Sequence, residues 1–395
     1  MIVDLHAHYP MQLDPEQNHT LAFMTSSQRK HRRDRGRAVI LRLANCLANY
    51  TPRGPAVTIE NLRAGKVGVA LSVLIVPFDE IDLDQPYGAP PSPNYFGHLT
   101  DQIAAVETDI ACNFPLEAAV VRNHRQLDAA LDQNKVALIH AVEGGIYLGD
   151  NAAQVRLHVH ELATMGIAYI TVAHLFWRRV ATNAPALPFL SDRVYEWLFC
   201  QPSSGLSDLG KAVVGAMVDE RILIDVTHMS KQSIEDTFRL LNEKDPDRRV
   251  PVIASHSACR LGGLHYKYNI CKEHIEAIAG RKGVIGLIAC KHYMSGKKAP
   301  LRGFDESMEV IFRHINRIHE VTGSHDYAAF GSDLDGFIKP TLPGLETPRA
   351  FETVEQRLRE EYGNLDAIKI CSGNAMRVLN YWQGGQQPPT VLPCK

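Results

Sequence analysis

The chain has 395 residues, 45% of them hydrophobic and 22% charged, proportions of an ordinary folded chain that exclude disorder, collagen and coiled coil. Forty-two basic against forty-four acidic side chains leave a formal charge of -2, too balanced for nucleic acid or an anionic membrane to be held by bulk charge, so neither is an expected partner. Eight cysteines without a C-x-x-C pair exclude a zinc ribbon. With no secretory signal or apolar run of membrane length visible, they predict reduced thiols and a cytoplasmic location.

In chain order, the first short apolar run covers 1–5 and stops on His6-Ala7-His8. Residues i and i+2 of a strand point the same way, which places two imidazoles on one side. A long insert follows, roughly 9–57, and carries the basic stretch 28–37. Lacking interleaved aromatics, that stretch reads as a solvated helix start or subunit contact, not a nucleic-acid patch. The second run, 67–76, leads to a helix over 101–110 and another over 124–134. The third run, 136–142, stops on Glu143, and a helix over 152–165 follows.

The fourth run, 168–173, ends on His174 and opens a second insert, roughly 176–206, before a helix over 208–220. The fifth run, 222–227, ends on His228 and precedes a helix over 230–242 whose Ser230 is an N-cap. The sixth, 250–255, ends on His256 and is followed by a helix over 272–279. The seventh is 284–289, with a helix over 304–321, and the eighth, 327–331, leads into Ser332-Asp333. A last helix starts near Ser372, and 383–395 reads as a tail on a single domain spanning 1–382.

Eight continuous apolar runs alternating with helical patterns predict a (β/α)8 TIM-type barrel, with a doubly wound open sheet as runner-up. In a barrel all strand ends meet on one face, so six of the eight runs deliver a metal-ligand or acid/base residue type to one site. Both inserts follow strand ends and would form a lid or dimer contact there. Imidazoles and carboxylates without thiolate suit zinc, manganese or iron and an open catalytic centre. His6, His8, His228, His256 and Glu143 are too many ligands for one tetrahedral ion that keeps a water, which predicts two ions with the two oxygens of Glu143 between them. Asp333 is placed to move a proton.

With those residues in hand, the chain resembles the membrane (renal) dipeptidase family of the metal-dependent amidohydrolase superfamily. The matching stretches are Asn61-Leu-Arg-Ala-Gly-Lys-Val-Gly68, Ala141-Val-Glu-Gly-Gly145, Gly205-Leu-Ser-Asp-Leu-Gly210, Leu223-Ile-Asp-Val-Thr-His-Met-Ser230, Pro251-Val-Ile-Ala-Ser-His-Ser257 and Gly331-Ser-Asp-Leu-Asp-Gly336, in family order. The resemblance implies a distorted barrel with two zinc ions that cleaves dipeptides or related small amides through a metal-bridging hydroxide. Glu143 would bridge the ions, with His6 and position 8 on one and His228 and His256 on the other. His174 would stabilise the oxyanion, Asp333 would shuttle the proton, and the protein would form a homodimer.

Two departures stand out. The family has His-x-Asp where this chain has His6-Ala7-His8, so one anionic ligand is replaced by a neutral one. The family's carboxylate-binding arginine falls at Tyr268, leaving Lys267 or Arg260 to read a substrate carboxylate, with a geometry lysine cannot match. The alternatives are therefore a superfamily relative acting on a lactone, cyclic amide or ester, and a metal-binding module without catalysis.

Overall fold

The structure, a computed structural model, describes residues 1–13, 55–76, 80, 88–90, 94–188, 190–296, 300–336, 340–386 and 391–393. Its strands are β1 (Ile2–Ala7), β2 (Val67–Leu74), β3 (Ala118–Val120), β4 (Val136–Glu143), β5 (Tyr169–Thr171), β6 (Leu223–Asp225), β7 (Val252–Ser257), β8 (Val284–Leu287) and β9 (Ala328–Phe330). They run in the order β2-β1-β9-β8-β7-β6-β5-β4-β3, and a further pairing of β2 with β4 closes the ring. Eight parallel strands thus form the expected (β/α)8 barrel, each within a few residues of an apolar run of the sequence. β3 is additional: it pairs only with β4, from Ala118↔Val136 to Val120↔Leu138, and three residues are too few to show a period.

The strands alternate between two apolar clusters. Val3, Leu5, Val69, Leu71, Val73, Ala137, Ile139 and Ala141 meet Tyr169, Leu223, Ile253, Val284 and Ala329 in one cluster drawn from the whole ring, which is the barrel interior. Ala70, Leu74, Leu138 and Val142, the intervening residues, join the larger cluster with the surrounding helices. The start of the barrel is closed by helix Asn374–Leu379 and the buried Trp382. There Asn374 donates to the Ala328 carbonyl at 2.8 Å and Arg377 to the Asp326 carbonyl at 2.6 Å.

The helices follow the sequence expectation closely, and Ser230 caps Lys231–Lys244 by accepting from the Ser233 N–H at 3.1 Å. The eighth unit differs. A helix over Phe351–Ile368 precedes the expected last one and joins it through a π turn, Lys369–Gly373. Its buried residues Phe351, Val354, Leu358 and Ala367 are sparse among charges, and Gly363 breaks it at φ 75°, so its period is weak in sequence. The tail is tied down at its start, where Gly385 N–H donates to the Arg122 carbonyl at 2.5 Å and Gln386 N–H to that of Thr164 at 3.1 Å. The thiol expectation is corrected in one place: Cys112 is disulfide-bonded, whereas Cys259, Cys271, Cys290 and Cys371 are free.

Most of the first insert, with its basic stretch, lies outside the described residues. The second forms a short helix, Asp192–Leu198; a bridge from Ala181 to Leu206 joins its two ends, and one from Asn183 to Met229 ties it to the segment after β6. No helix of the described residues is long and apolar enough to cross a membrane.

Three buried histidines away from the strand ends set an acid limit on stability. Burial pushes His140 down to about 3 and His274 and His314 to about 4; His314 accepts from the Cys259 N–H through Nδ1 at 3.0 Å. Between those values and the unfolded value near 6.5 the unfolded chain binds more protons, so stability is full above pH 6.5 and falls toward pH 4. Buried Asp4, pushed up to about 6 by desolvation, opposes this as one group against three. The urea midpoint of chelator-treated protein, followed by circular dichroism, is expected to drop across this window; a flat midpoint would contradict it.

Candidate metal centre

At the C-terminal ends of the strands, Glu143 continues the alternation of Ala137, Ile139 and Ala141 and so enters the barrel mouth. His6 and His256 arrive differently. By alternation from Leu5 and from Ile253 they would leave the interior, but the pairing slips between Asp4 and Ala7 in β1 and between Ala254 and Ser257 in β7. Such irregularities re-aim side chains at barrel rims, and here they bring the two rings to 3.7 Å between centroids. His228 and Asp333 stand in left-handed backbone, at φ 65° and 56°, a conformation that costs roughly 1–2 kcal/mol for a residue with a Cβ. Asp333 is pinned by its N–H to the His6 carbonyl at 2.8 Å. Its neighbour Ser332 donates to Asp4 from both N–H and hydroxyl, at 2.8 and 2.5 Å.

The buried Glu143 carboxylate lies among five imidazoles. Its Oε1 is 3.5 Å from His6 Nε2, 3.2 Å from His228 Nε2 and 3.3 Å from His256 Nε2. Its Oε2 is 3.6 Å from His8 Nε2 and 3.5 Å from His174 Nε2. The ring nitrogens also face one another, His6 and His8 at 3.2 Å and His228 and His256 at 3.0 Å. Asp333 Oδ1 closes the group at 2.8 Å from His8 Nε2 and 3.7 Å from His6 Nε2.

The surrounding hydrogen bonds fix which nitrogens carry protons. Tyr169 donates its hydroxyl to the Leu5 carbonyl at 2.9 Å, so at 2.7 Å it accepts from His6 Nδ1–H. Ser255 donates to Asp225 at 2.5 Å and accepts from His256 Nδ1–H at 2.9 Å. Both Nε2 atoms are left as lone pairs aimed at the carboxylate. Each of these lone pairs lies about 3 Å from a second ring nitrogen, that of His8 or His228, whose own Nδ1 is buried without a protein partner, and a cation among them would draw the four nitrogens together. Two ligands about 2.1 Å from one tetrahedral ion lie about 3.4 Å apart, which matches the spacings here. The donor set fits a metal.

Electrostatics agree. Burial alone would raise Glu143, but the neighbouring His174 and His6 hold it well below the usual carboxylate range. Burial pushes His6 and His228 down to about 4, so they are neutral ligands at physiological pH. His174 is the exception: although burial lowers it, Glu143 and Glu80 outweigh that and lift it to about 9, so its ring carries a charge at neutral pH. Asp333 is also desolvated, yet His256 and His8 keep it below its ordinary value.

A family model described as membrane dipeptidase, peptidase family M19, matches residues 1–387. The chain belongs to the membrane dipeptidase family. Among the family's relatives, a dipeptidase of Aspergillus oryzae, aclJ, is 23% identical over 247 residues, 62% of this chain and 51% of that protein; the chain spans about half the length of this curated relative. A crystal structure of the metallopeptidase dipeptidase AC superimposes with a TM-score of 0.68 at 16% identity, covering 97% of this chain and 99% of that one. A metallopeptidase from Rhodobacter sphaeroides, liganded with a phosphinate mimic of the dipeptide L-Ala-D-Ala, gives 0.65 at 17%, covering 96% and 99%. The probable dipeptidase PvdM from Pseudomonas aeruginosa gives 0.64 at 19%, covering 84% and 90%.

Of the residues expected at the site of this membrane dipeptidase family member, His6, His8, Glu143, His174, His228, His256 and Asp333 come together. Of these, His8, Glu143, His174, His228 and Asp333 floor a cavity of about 30 Å³ whose walls include Leu175, Ala186, Pro188, Tyr268, Ile288 and Tyr293. Tyr268 donates to the His256 carbonyl at 2.7 Å and lies against Tyr293, 4.3 Å between centroids. Lys267 and Arg260 are not brought in, which corrects the expectation that either reads a substrate carboxylate. Lys267 is exposed and paired with Glu196, and Arg260 donates to the Asn269 carbonyl at 3.1 Å. Within an irregular loop no period fixes side-chain direction, and the acidic Asp192–Leu198 helix draws the lysine outward.

Glu80 and Tyr293 were missed. They follow the two runs that ended on no titratable residue, a short way beyond each, and only a search past those ends would have found them. The Tyr293 hydroxyl is buried without a protein partner. Ser255 and Asp225, which help to orient the site's rings, lie in the stretches that carry the family resemblance but were given no role there, and Tyr169 carried no sequence signal.

Proposed function

We propose that the protein is a two-zinc hydrolase that cleaves the amide bond of dipeptides or related small amides. One observation carries the reading: two pairs of ring nitrogens, His6 with His8 at 3.2 Å and His228 with His256 at 3.0 Å, both lie against the one Glu143 carboxylate. Glu143 would join two ions, with His6 and His8 on one and His228 and His256 on the other. When bound, such ions polarise a carbonyl and lower the pKa of water to near neutrality. Family membership and the dipeptide mimic held by the Rhodobacter sphaeroides relative support the substrate class.

The chain's own residues do the rest. Asp333, ionised at neutral pH and buried at the cavity floor, accepts a proton at Oδ1 from the attacking water and returns it to the departing amine nitrogen. His174 presents a charged Nε2–H to the carbonyl oxygen as negative charge builds there. Leu175, Ile288 and Pro188 keep the reacting atoms in an apolar wall, where those charges act at low dielectric.

A second reading, a lactone, cyclic amide or ester as substrate, is favoured by the outward course of Lys267 and by Tyr268 in the wall. A panel of L,L, L,D and D,L dipeptides, N-acyl amino acids and lactones, with and without chelator, separates the two. Chelator-sensitive dipeptide cleavage with kcat/KM above about 10⁴ M⁻¹s⁻¹ is the expected result. Metal-loaded protein that cleaves lactones or cyclic amides and no dipeptide would overturn the first reading in favour of the second.

A further inference from the structure

Glu80, a few residues beyond β2, meets the loop after β5. Glu80 is 2% exposed and is addressed by three alternate residues of that loop. Its Oε2 meets His174 Nδ1 in a short contact. Its Oε1 accepts from the Phe176 N–H at 2.9 Å, and its backbone carbonyl accepts from Arg178 Nε at 2.9 Å. Arg178 is itself buried. The clamp therefore fixes both the ring of His174 and the backbone that carries it. With Nδ1–H committed to Glu80, the opposite nitrogen is directed at the cavity, 3.5 Å from Glu143 Oε2.

We infer that Glu80 is the positioning residue of the reaction: it holds the His174 ring so that Nε2 points at the scissile carbonyl. This rests on the functional reading above. Glu80 lies on the far side of His174 from the cavity floor, so it acts only through that ring and its loop. An outer partner that sets the plane of an active imidazole changes activity by about 10–100-fold when removed.

A double-mutant cycle tests this, reading kcat, KM, metal content and melting temperature for Glu80→Ala, His174→Ala and the pair. Glu80→Ala is expected to lower kcat about 10–100-fold with metal content unchanged. In the His174→Ala background the same change should alter kcat by less than about twofold, because nothing is left to position. Additive losses, or wild-type kcat in Glu80→Ala, would overturn the inference. Should Glu80→Ala not fold, Glu80→Gln runs the same cycle. Its single acceptor must serve two N–H groups, so it should lose about threefold or more, again only while His174 is present. Histidine-labelled protein gives a readout that needs no turnover. A protected ring Nδ1–H resonance absent in His174→Ala should also vanish in Glu80→Ala, and its survival there would overturn the inference. A wild-type protein inactive on the whole panel yet showing this resonance behaviour would fail the functional reading and leave the clamp standing.

Discussion

Asp333→Asn is expected to lower turnover by about 10²–10⁴-fold, the range of general acid–base assistance, while metal content stays at the wild-type level. The substitution is nearly isosteric, and asparagine tolerates left-handed backbone better than other residues with a Cβ, so the φ of 56° at this position is kept. The backbone anchors also survive, since Asp333 N–H to the His6 carbonyl and Gly336 N–H to the Asp333 carbonyl, at 2.8 and 3.1 Å, use no side-chain atom. What is lost is the ability of Oδ1 to take and return a proton. Stopped assays beside elemental analysis of the same sample check this, and unchanged turnover would remove Asp333 from the chemistry.

Glu143→Gln is expected to act one step earlier, on the metal. All five imidazoles converge on this carboxylate. An amide supplies one oxygen where two are used, and it turns an N–H₂ donor toward ring nitrogens or their ligand position. The negative charge that the histidines stabilise in a fully buried position is lost as well. Metal bound after dialysis should fall to one ion or less per chain, with activity falling by more than the 10–100-fold typical of an outer partner. A variant that keeps two ions would exclude the bridging role.

The barrel was legible because a strand buried on both faces reads as an unbroken apolar run, and because such a run stops where a polar residue is wanted at the mouth. That logic placed His6, His8, Glu143, His174, His228, His256 and Asp333 at the mouth from position alone, and the His6-x-His8 spacing turned the two rings of the first run the same way. It could not foresee how His6 and His256 reach the interior, because the slips in β1 and β7 are properties of pairing between strands distant in sequence. The directions of Lys267 and Arg260 were misjudged for a related reason: they lie in a loop whose course is set by the Asp192–Leu198 helix packed beside it. Glu80 escaped because its role depends on meeting residues 174–178 across the mouth, a contact with no local pattern.

The central claim is that five of the convergent groups at the strand ends, His6, His8, Glu143, His228 and His256, form a metal centre. Crystals grown with zinc, measured on either side of the zinc absorption edge, test it most directly. The account predicts two anomalous peaks, one bounded by His6, His8 and Glu143 and one by Glu143, His228 and His256. A map with no peak inside this cluster would contradict it, and a single peak there would contradict the two-ion assignment.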